Sequence, residues 1–355
     1  MNRGMTIGYF ADGPWSHKAF ERMVVDDSFE IRFIVPRSGS VDKTLIAFSE
    51  KYDIPLHENI KVNSGAFYRL ASGYDCDLFV SMSFNQIFKE DIINLPKKGV
   101  INCHAGKLPF YRGRNVLNWA LINDEKEFGV TVHYVDTGVD TGDIILQRTC
   151  PITDADTYKT LLEKAYVACA DVLYDALKMI QHDRVTAVKQ SDIHPAGFYC
   201  GKRGEGDENI DWRQTSRRLF NFVRALSEPG PKAATFLNGI PVRINKAKMM
   251  PEVPVFIGTP GQILGVTNEG VIVKTEDTTL EISEIETEAA LKVGSRLGPK
   301  TGEELGRNRR DELESNAGGR LGPKTGDELG LNREAKGEPK VRDELRTKAG
   351  GQSWQ

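Results

Sequence analysis

Hydrophobic residues in the first half of the chain form short, nearly continuous runs separated by longer amphipathic stretches. Four such runs are MTIGYFA (5–11), EIRFIVP (30–36), DLFVSMSF (77–84) and VINCHA (100–105). Runs that are apolar on both faces indicate parallel strands covered by helices on both sides of a sheet. Two more strands, FGVTVHYVD (128–136) and GDIILQRTCPI (142–152), are predicted on either side of a turn around TGVDTG.

A long amphipathic stretch follows these strands and predicts a helix, for which Thr153 is a suitable N-cap. Its apolar positions recur at spacings of three and four, so they share one face. They are Tyr158, Leu161, Leu162, Ala165, Cys169, Val172, Leu173, Ala176 and Ile180. With its strands and this helix, the segment 1–193 is predicted to be a Rossmann-like α/β domain with a mostly parallel sheet.

The pattern changes after residue 193. A polar, glycine-rich connection at 199–212 leads into a short amphipathic helix at 216–226. Three apolar segments, ILGVT, VIVKT and LEISEI, follow within 258–286 and are separated by the turn sequences NEG and EDT. We interpret them as a β-meander. We therefore predict that residues 194–288 form a connection and a small OB-like β-barrel domain.

An internal repeat marks the last part of the chain. RLGPKTGEELG at 296–306 recurs 24 residues later as RLGPKTGDELG at 320–330. Leucines are sparse and glycines are frequent, so no stripe can bury a face, and two repeats are too few for a solenoid. We predict that residues 289–355 are a low-complexity, disordered tail that is foreign to the folded protein.

Charge and composition argue against several classes of protein. The 355 residues carry a formal net charge of −3, and residues 1–288 carry 33 Lys and Arg against 39 Asp and Glu, a net charge of −6. This balance disfavours a nucleic-acid partner. The apolar runs are short and the first residues lack the apolar core of a signal peptide, so no membrane insertion is expected. Five cysteines without a CxxC motif indicate reduced thiols in a cytoplasmic protein.

Two polar residues end the strand at 100–105. Asn102 and His104 are two positions apart, so they share one face of the strand, whereas Cys103 faces the other way. Ligands bind outside the carboxyl ends of parallel strands. There an Asn amide can stabilise an oxyanion and a His can move a proton, which suits acyl transfer. The alternative is a capped strand end with a hydrogen-bonded, buried His.

Three aspartates follow in VDTGVDTGDI (135–144), and one of them could orient His104. Turn chemistry does not choose among Asp136, Asp140 and Asp143, because Asp is common in turns for local reasons. A metal site made from His104, His133 and these aspartates is an alternative, although no HxH or HExxH spacing supports it. A Cys103–His104 nucleophile is disfavoured because adjacent strand residues face apart.

The order N-x-H, an LP loop and D-x-G-x-D-T-G-D resembles the 10-formyltetrahydrofolate-dependent formyltransferases. The family pairs its Asn and His with an Asp 38 residues after the Asn, which here is Asp140. The resemblance extends over about residues 5–286. It implies that Asn102 and His104 bind the oxyanion formed when an amine attacks the formyl carbon on N10 of the folate. It further implies that Asp140 sets the tautomer and charge of His104 or helps to move the amine proton.

The same resemblance implies a pocket for the 10-formyltetrahydrofolate co-substrate and no metal. The residues expected to contact the folate are Ser83, Phe84, Gln86, Ile87, Val135, Asp136 and Asp140. Ordinary core packing is the alternative for Phe84 and Ile87.

The basic loop after His104 bears on which amine is used. The segment KLPFYRGRNVLNWAL is similar to the corresponding segment of the sugar N-formyltransferases. The loop VPRSGSVD lacks the basic insertion that the tRNA enzymes have. Arginine side chains suit phosphate oxygens, so Arg112 and Arg114 are expected to hold a diphosphate. Asn115 is expected to bind a sugar hydroxyl, with capping of the next helix as the alternative. Lys202 and Arg203 are weaker candidates.

We therefore expect transfer of a formyl group to the amine of a nucleotide-linked dideoxy sugar (dTDP, UDP or GDP). Such a reaction belongs to surface-glycan synthesis of the O-antigen type in lipopolysaccharide, and the resemblance suggests a homodimer. Methionyl-tRNA formyltransferase is the alternative enzyme. A non-catalytic folate or sugar sensor is an alternative of another class.

Overall fold

A six-stranded sheet forms the centre of the first domain in the computed structural model, which describes residues 4–39 and 41–300. The elements of this domain are β1 (Met5–Ala11), α1 (Gly13–Val24), β2 (Phe29–Pro36), α2 (Lys43–Tyr52), α3 (Gly65–Gly73), β3 (Leu78–Met82), α4 (Glu90–Ile93), β4 (Val100–His104), β5 (Arg112–Gly113), α5 (Val116–Ile122), β6 (Glu127–Tyr134), β7 (Ile144–Pro151), α6 (Tyr158–Gln181) and α7 (Gln190–Ile193). The elements that follow are β8 (Tyr199–Cys200), α8 (Ser216–Leu226), β9 (Ala233–Leu237), β10 (Ile240–Met249), β11 (Ile263–Val266), β12 (Gly270–Lys274) and β13 (Thr279–Thr287).

The strand order of the first sheet is β2-β1-β3-β4-β6-β7. The pairs among β2, β1, β3 and β4 are parallel, whereas β6 runs antiparallel to both β4 and β7. The predicted α/β class with a mostly parallel sheet is therefore confirmed. The strand order reverses between β1 and β3, and a ligand crevice is expected outside the strand ends beside such a reversal.

Helix α6 packs its predicted apolar face against the sheet. Every predicted position on that face is buried except Tyr158, which is partly buried. The prediction that Thr153 caps this helix is wrong. Thr157 is the N-cap and exchanges hydrogen bonds with Thr160, while Asp156 accepts from the backbone and hydroxyl of Thr153. Thr153 therefore belongs to the preceding turn.

The second domain is a five-stranded antiparallel sheet in the order β11-β12-β13-β10-β9. The predicted meander corresponds to β11, β12 and β13, and the predicted helix at 216–226 is α8. The hairpin of β9 and β10 was not predicted. Its turn contains Asn238 and Gly239, with φ of 51° and 83°, the left-handed backbone that tight hairpins require.

A segment beyond the predicted end of this domain closes the sheet. Phe236 of β9 and Gly298 exchange backbone hydrogen bonds of 2.9 and 3.0 Å, and Leu297 donates its N–H to the carbonyl of Gly261 at 2.8 Å. The Leu297 side chain is 1% exposed and lies in the core of the domain. The segment thus bridges both edges of the sheet, as in a small barrel. The folded chain extends past the predicted boundary at 288, and the rest of the predicted tail, 301–355, lies outside the described residues.

Helix α8 joins the two domains. Asn118 of α5 donates to the carbonyl of Ala225 at 2.6 Å, and Arg217 forms an ion pair with Asp124. The guanidinium of Arg224 is buried and donates to the carbonyl of Thr153 at 2.6 Å. These contacts fix α5, the helix that follows the basic loop, between the domains.

Among the residues described, no helix combines the length and the apolar character that crossing a bilayer requires.

We expect Leu297→Ala to lower the free energy of unfolding by about 2–5 kcal/mol, because it opens a cavity in a closed core. Chemical denaturation measures the change. Leu264→Ala is the matched control in the same domain, since Leu264 is 38% exposed; it should cost less than about 1 kcal/mol. Equal effects of the two substitutions would contradict the role of the closing segment.

Candidate active site

The end of β4 presents two polar side chains to a cavity beside the sheet. Asn102 and His104 both line it, as strand alternation predicts. Cys103 also contributes to the cavity wall, but its thiol points the other way and donates to the carbonyl of Cys169 in α6 at 3.6 Å. A Cys–His nucleophile is therefore not formed at this position.

The carboxylate of Asp140 lies between two imidazoles. Its Oδ2 is 3.7 Å from His104 Nδ1 and its Oδ1 is 3.5 Å from His133 Nε2. The backbone N–H of Gly113 donates to Oδ2 at 2.9 Å, and the Asn102 amide lies 3.4 Å from Oδ1. The loop between β6 and β7 thus brings Asp140, rather than its two neighbouring aspartates, to the strand end.

The electrostatics of this cluster favour an ionised Asp140. Burial alone would raise the pKa of the carboxyl, since the side chain is only 11% exposed. The charge of His104, the hydrogen bond and charge of His133 and the Gly113 N–H outweigh burial and hold the pKa of Asp140 far below its usual range. Asp140 is therefore a fixed negative charge beside His104.

The ring of His104 is held on both sides. Nε2 lies 2.7 Å from the carbonyl oxygen of Tyr111. Because a carbonyl only accepts, Nε2 carries a proton and Nδ1 faces Asp140. A side chain at Gly106 would not fit, since its Cβ would lie 2.4 Å from His104 Nε2. The strand end and the following loop thus fix the orientation of the imidazole.

His133 is a member of the cluster that the predicted catalytic set lacks. It is 2% exposed and sits opposite Asn102 in the pairing of β4 with β6. Its Nδ1 donates to the carbonyl of Tyr134 at 2.7 Å, and its Nε2 lies 3.5 Å from Asp140 Oδ1 and 3.3 Å from the Asn102 amide nitrogen. From the sequence, His133 is suggested only as a metal ligand. No local pattern shows which residue of β4 it faces when β6 pairs with β4. Within the residues described, no group of three or more His, Cys, Asp or Glu is arranged to hold a metal ion.

The cavity has a volume of about 600 Å³ and contains most of the predicted site residues. Those that line it are Ser83, Phe84, Gln86, Ile87, Asn102, His104, Arg114, Asn115, Val135, Asp136 and Asp140. Further lining residues that the sequence did not suggest include Trp15, Arg37, Asn118 and Tyr158. A volume of this size suits an organic ligand of cofactor size.

Aromatic packing holds the loop after β3 in place. Phe84 packs against Phe10 and Phe88 at ring-centroid distances of 5.5 and 5.8 Å. Ile87 is 63% exposed on the cavity wall. Core packing, the alternative considered for both residues, thus applies to Phe84 and not to Ile87.

Two predicted folate-binding side chains have partners inside the protein. The Gln86 amide accepts from Val62 N–H at 3.1 Å and donates to the carbonyl of Ile60 at 2.7 Å. Asp136 accepts from the N–H of Gly138 at 3.0 Å. These hydrogen bonds help to fix the two loops along the cavity.

The two arginines of the basic loop lie in different environments. Arg114 is exposed at the cavity; its backbone N–H donates to the carbonyl of Cys200 at 3.1 Å, and its guanidinium has no hydrogen-bond or ion-pair partner among the described residues. Arg112 does not line the cavity; its Nε and Nη2 donate to Gln190 Oε1 at 3.0 and 2.6 Å. Of the predicted pair of substrate arginines, only Arg114 lies at the cavity, and its role in binding stays a prediction. Gly113, with φ of 90°, breaks the alternation that would place both on one side.

Asn115 precedes α5 in a left-handed conformation, with φ of 55°. Its side chain makes no cap hydrogen bond; Oδ1 instead accepts from the N–H of Arg203 at 3.1 Å. The capping alternative is therefore not found. The guanidinium of Arg203 lies over the rings of Trp119 and Phe222.

Comparisons with known proteins place this geometry in a family. The Formyl transferase model matches residues 45–177, and the Formyl transferase C-terminal domain model matches residues 204–295. The methionyl-tRNA formyltransferase of Caldanaerobacter subterraneus is 34% identical over 71% of this chain and 82% of that protein. The chain belongs to the formyltransferase family.

Other relatives and structures agree on the family. The methionyl-tRNA formyltransferase of Pelotomaculum thermopropionicum is 31% identical over 68% of this chain and 76% of that protein. WlaRD, a sugar 3N-formyl transferase, has a TM-score of 0.60 at 20% identity over 82% of this chain and all of its own. A Helicobacter canadensis N-formyltransferase has a TM-score of 0.59 at 22% identity over 80% of this chain and all of its own length. At these identities the structural matches establish the fold.

The charge on Asp140 predicts a pH-dependent contribution to stability. A carboxyl whose folded pKa is depressed stabilises the fold fully above its unfolded pKa, about 3.9, and loses that contribution as the pH falls through the folded value. Asp140→Asn should therefore lower the free energy of unfolding by about 1–3 kcal/mol at pH 5, and the difference should shrink towards pH 3.

Denaturant unfolding at several pH values measures this difference. Asp143→Asn removes a carboxylate from the same loop away from the imidazoles, and it should change stability by about 0.5 kcal/mol or less. A difference between the parent protein and Asp140→Asn that grows as the pH falls from 5 to 3 would contradict the account.

Proposed function

We propose that the protein transfers the formyl group of 10-formyltetrahydrofolate to the amine of a nucleotide-linked dideoxy amino sugar. The observation that carries the proposal is the convergence of Asn102, His104 and Asp140 on one cavity of about 600 Å³. An amide donor, an imidazole and a fixed carboxylate are the groups that acyl transfer to an amine requires. Membership of the formyltransferase family identifies the acyl group.

The chemistry follows from where charge develops. The amine nitrogen attacks the formyl carbon, and the formyl oxygen becomes an oxyanion that the Asn102 amide can stabilise. The amine loses a proton, and N10 gains one as its bond to the formyl carbon breaks. Nδ1 of His104 is the ring nitrogen that can take this proton, because Nε2 donates to the carbonyl of Tyr111, and the Asp140 carboxylate stabilises the imidazolium that forms. The products are a formamide and tetrahydrofolate.

The folate is proposed to lie along the loops after β3 and β6. Ser83, Ile87 and Val135 line the cavity there, next to Phe84, Gln86, Asp136 and Asp140. Two structural neighbours support this ligand class: WlaRD was solved with 5-N-formyl-THF, and the Helicobacter enzyme with folinic acid. These loops are fixed from within the protein, so the pocket is largely formed before the ligand binds.

The guanidinium of Arg114, which has no side-chain partner among residues 4–39 and 41–300, supports a phosphorylated amine substrate. It is exposed at the cavity, on the loop that follows His104, and an arginine suits the oxygens of a diphosphate. The net charge of −6 over residues 1–288 disfavours a long polyanion such as tRNA. The two neighbours named above were solved with dTDP and with dTDP-3-aminofucose. A homodimer and a role in surface-glycan synthesis stay predictions.

Formylation of methionyl-tRNA is the second candidate. The observation that favours it is the identity of 31–34% with two methionyl-tRNA formyltransferases over most of their length. The family members share the chemistry, so the amine distinguishes the two candidates.

Substitutions at the strand end test the catalytic roles. Asn102→Ala and His104→Ala should each lower kcat about 10²- to 10³-fold, because they remove the oxyanion donor and the proton carrier. Formation of tetrahydrofolate, followed with an amino-sugar nucleotide, measures kcat. Cys103→Ala is the matched control between them, since Cys103 faces α6, and it should keep kcat within about threefold. Normal turnover by both cavity variants would remove the proposed roles.

Arg114→Ala tests the nature of the amine substrate. It should raise KM for the amino-sugar nucleotide by roughly 10-fold or more, because a charge-assisted contact with phosphate is lost. Arg218→Ala is the control, since Arg218 is exposed on α8 and does not line the cavity. Turnover of methionyl-tRNA together with no turnover of dTDP-, UDP- or GDP-linked amino sugars would establish the second candidate instead.

A further inference from the structure

We propose that Gln190 is a positioning residue that ties the backbone of Asp140 to the guanidinium of Arg112. Gln190 is the first residue of α7, is 3% exposed and does not line the cavity. It has no place in the chemistry described above, and its role in turnover rests on the proposed function. The geometry that assigns this role is a closed chain of hydrogen bonds around Asp140.

Asp140 needs support because its backbone is in an unfavourable conformation. Its φ of 54° lies in the left-handed region, which costs a residue with a Cβ free energy. Such a conformation persists only where the surrounding structure holds it. A shift of the loop would also move the carboxylate away from His104.

The amide of Gln190 supplies that support with all of its hydrogen-bonding capacity. Nε2 donates to the carbonyls of Asp140 and Gly142, both at 2.8 Å, and Oε1 accepts two hydrogen bonds from Arg112. Carbonyls only accept and a guanidinium only donates, so the amide can take only this orientation. No hydrogen-bonding position of the amide is left for another partner.

The hydrogen bonds form a ring that returns to the carboxylate. Gly113 follows Arg112 in β5, and its N–H donates to Asp140 Oδ2 at 2.9 Å. Gln190 thus holds the carbonyl of Asp140 and, through Arg112 and Gly113, also its carboxylate. Val188 anchors the start of α7 by exchanging backbone hydrogen bonds of 2.8 and 2.9 Å with Ile144 of β7.

Two variants separate the two sides of this ring. Gln190→Met removes all four hydrogen bonds, whereas Gln190→Glu keeps an acceptor for Arg112 but has no donor for the two carbonyls when ionised. Both should lower kcat about 10- to 100-fold, because a small displacement of a catalytic group is costly. KM for the amine should stay within about threefold, because Gln190 does not itself line the cavity.

A second readout does not need turnover. Hydrogen exchange at the Gly113 amide should be at least roughly tenfold faster in Gln190→Met than in the parent protein, because the ring around Asp140 is opened. Gln181→Met is the matched control: this glutamine donates to the carbonyl of Ser28 from α6 and should change neither exchange at Gly113 nor kcat.

The outcomes test the positioning role of Gln190 and the proposed function separately. Unchanged exchange at Gly113 in Gln190→Met would overturn the positioning role, and so would normal kcat in Gln190→Glu. A parent protein that formylates no amine would overturn the proposed function, and exchange at Gly113 would then decide the positioning role alone. Loss of kcat with faster exchange at Gly113, and no change in Gln181→Met, would support it.

Discussion

The site depends on one buried carboxylate held between two imidazoles. Asp140 is 3.7 Å from His104 and 3.5 Å from His133, and their charges together with the Gly113 N–H keep it ionised despite its burial. This fixed negative charge faces Nδ1 of His104, where it can stabilise positive charge on the ring during the proposed proton transfer. The contacts that hold Asp140 are therefore as important as the residues that face the ligand.

The fold produces this arrangement through the antiparallel position of β6. Alternation along β4 directs Asn102 and His104 to one side, and pairing with β6 puts His133 opposite Asn102. The loop that leaves β6 then returns Asp140 to the end of β4. The loop after β3 lies beside the same strand ends, so it lines the same cavity as the polar cluster. The chemical groups are thus assembled from three separate parts of the chain.

Features that follow from the local periodicity of the sequence, such as which side chains share a strand face, could be predicted. Features that follow from how distant segments pair with one another could not. Alternation identified Asn102 and His104, whereas turn chemistry could not separate Asp140 from Asp136; only the family resemblance did. Gln190 had no local signal, since its partners lie 48 to 78 residues away along the chain. The Asn-Gly turn of β9 and β10 did carry a signal that was missed. Leu297 was not recognised as core, because its repeat looks unstructured and its partners are distant.

The central claim is that the Asp140-centred cluster carries out formyl transfer to an amine. The most direct measurement uses 10-formyltetrahydrofolate with a ¹³C-labelled formyl group and an amino-sugar nucleotide, followed by NMR in a single turnover. The label should move to a formamide in the parent protein, and it should do so at least about 100-fold more slowly in Asp140→Asn. Transfer at the same rate by both proteins would contradict the central claim.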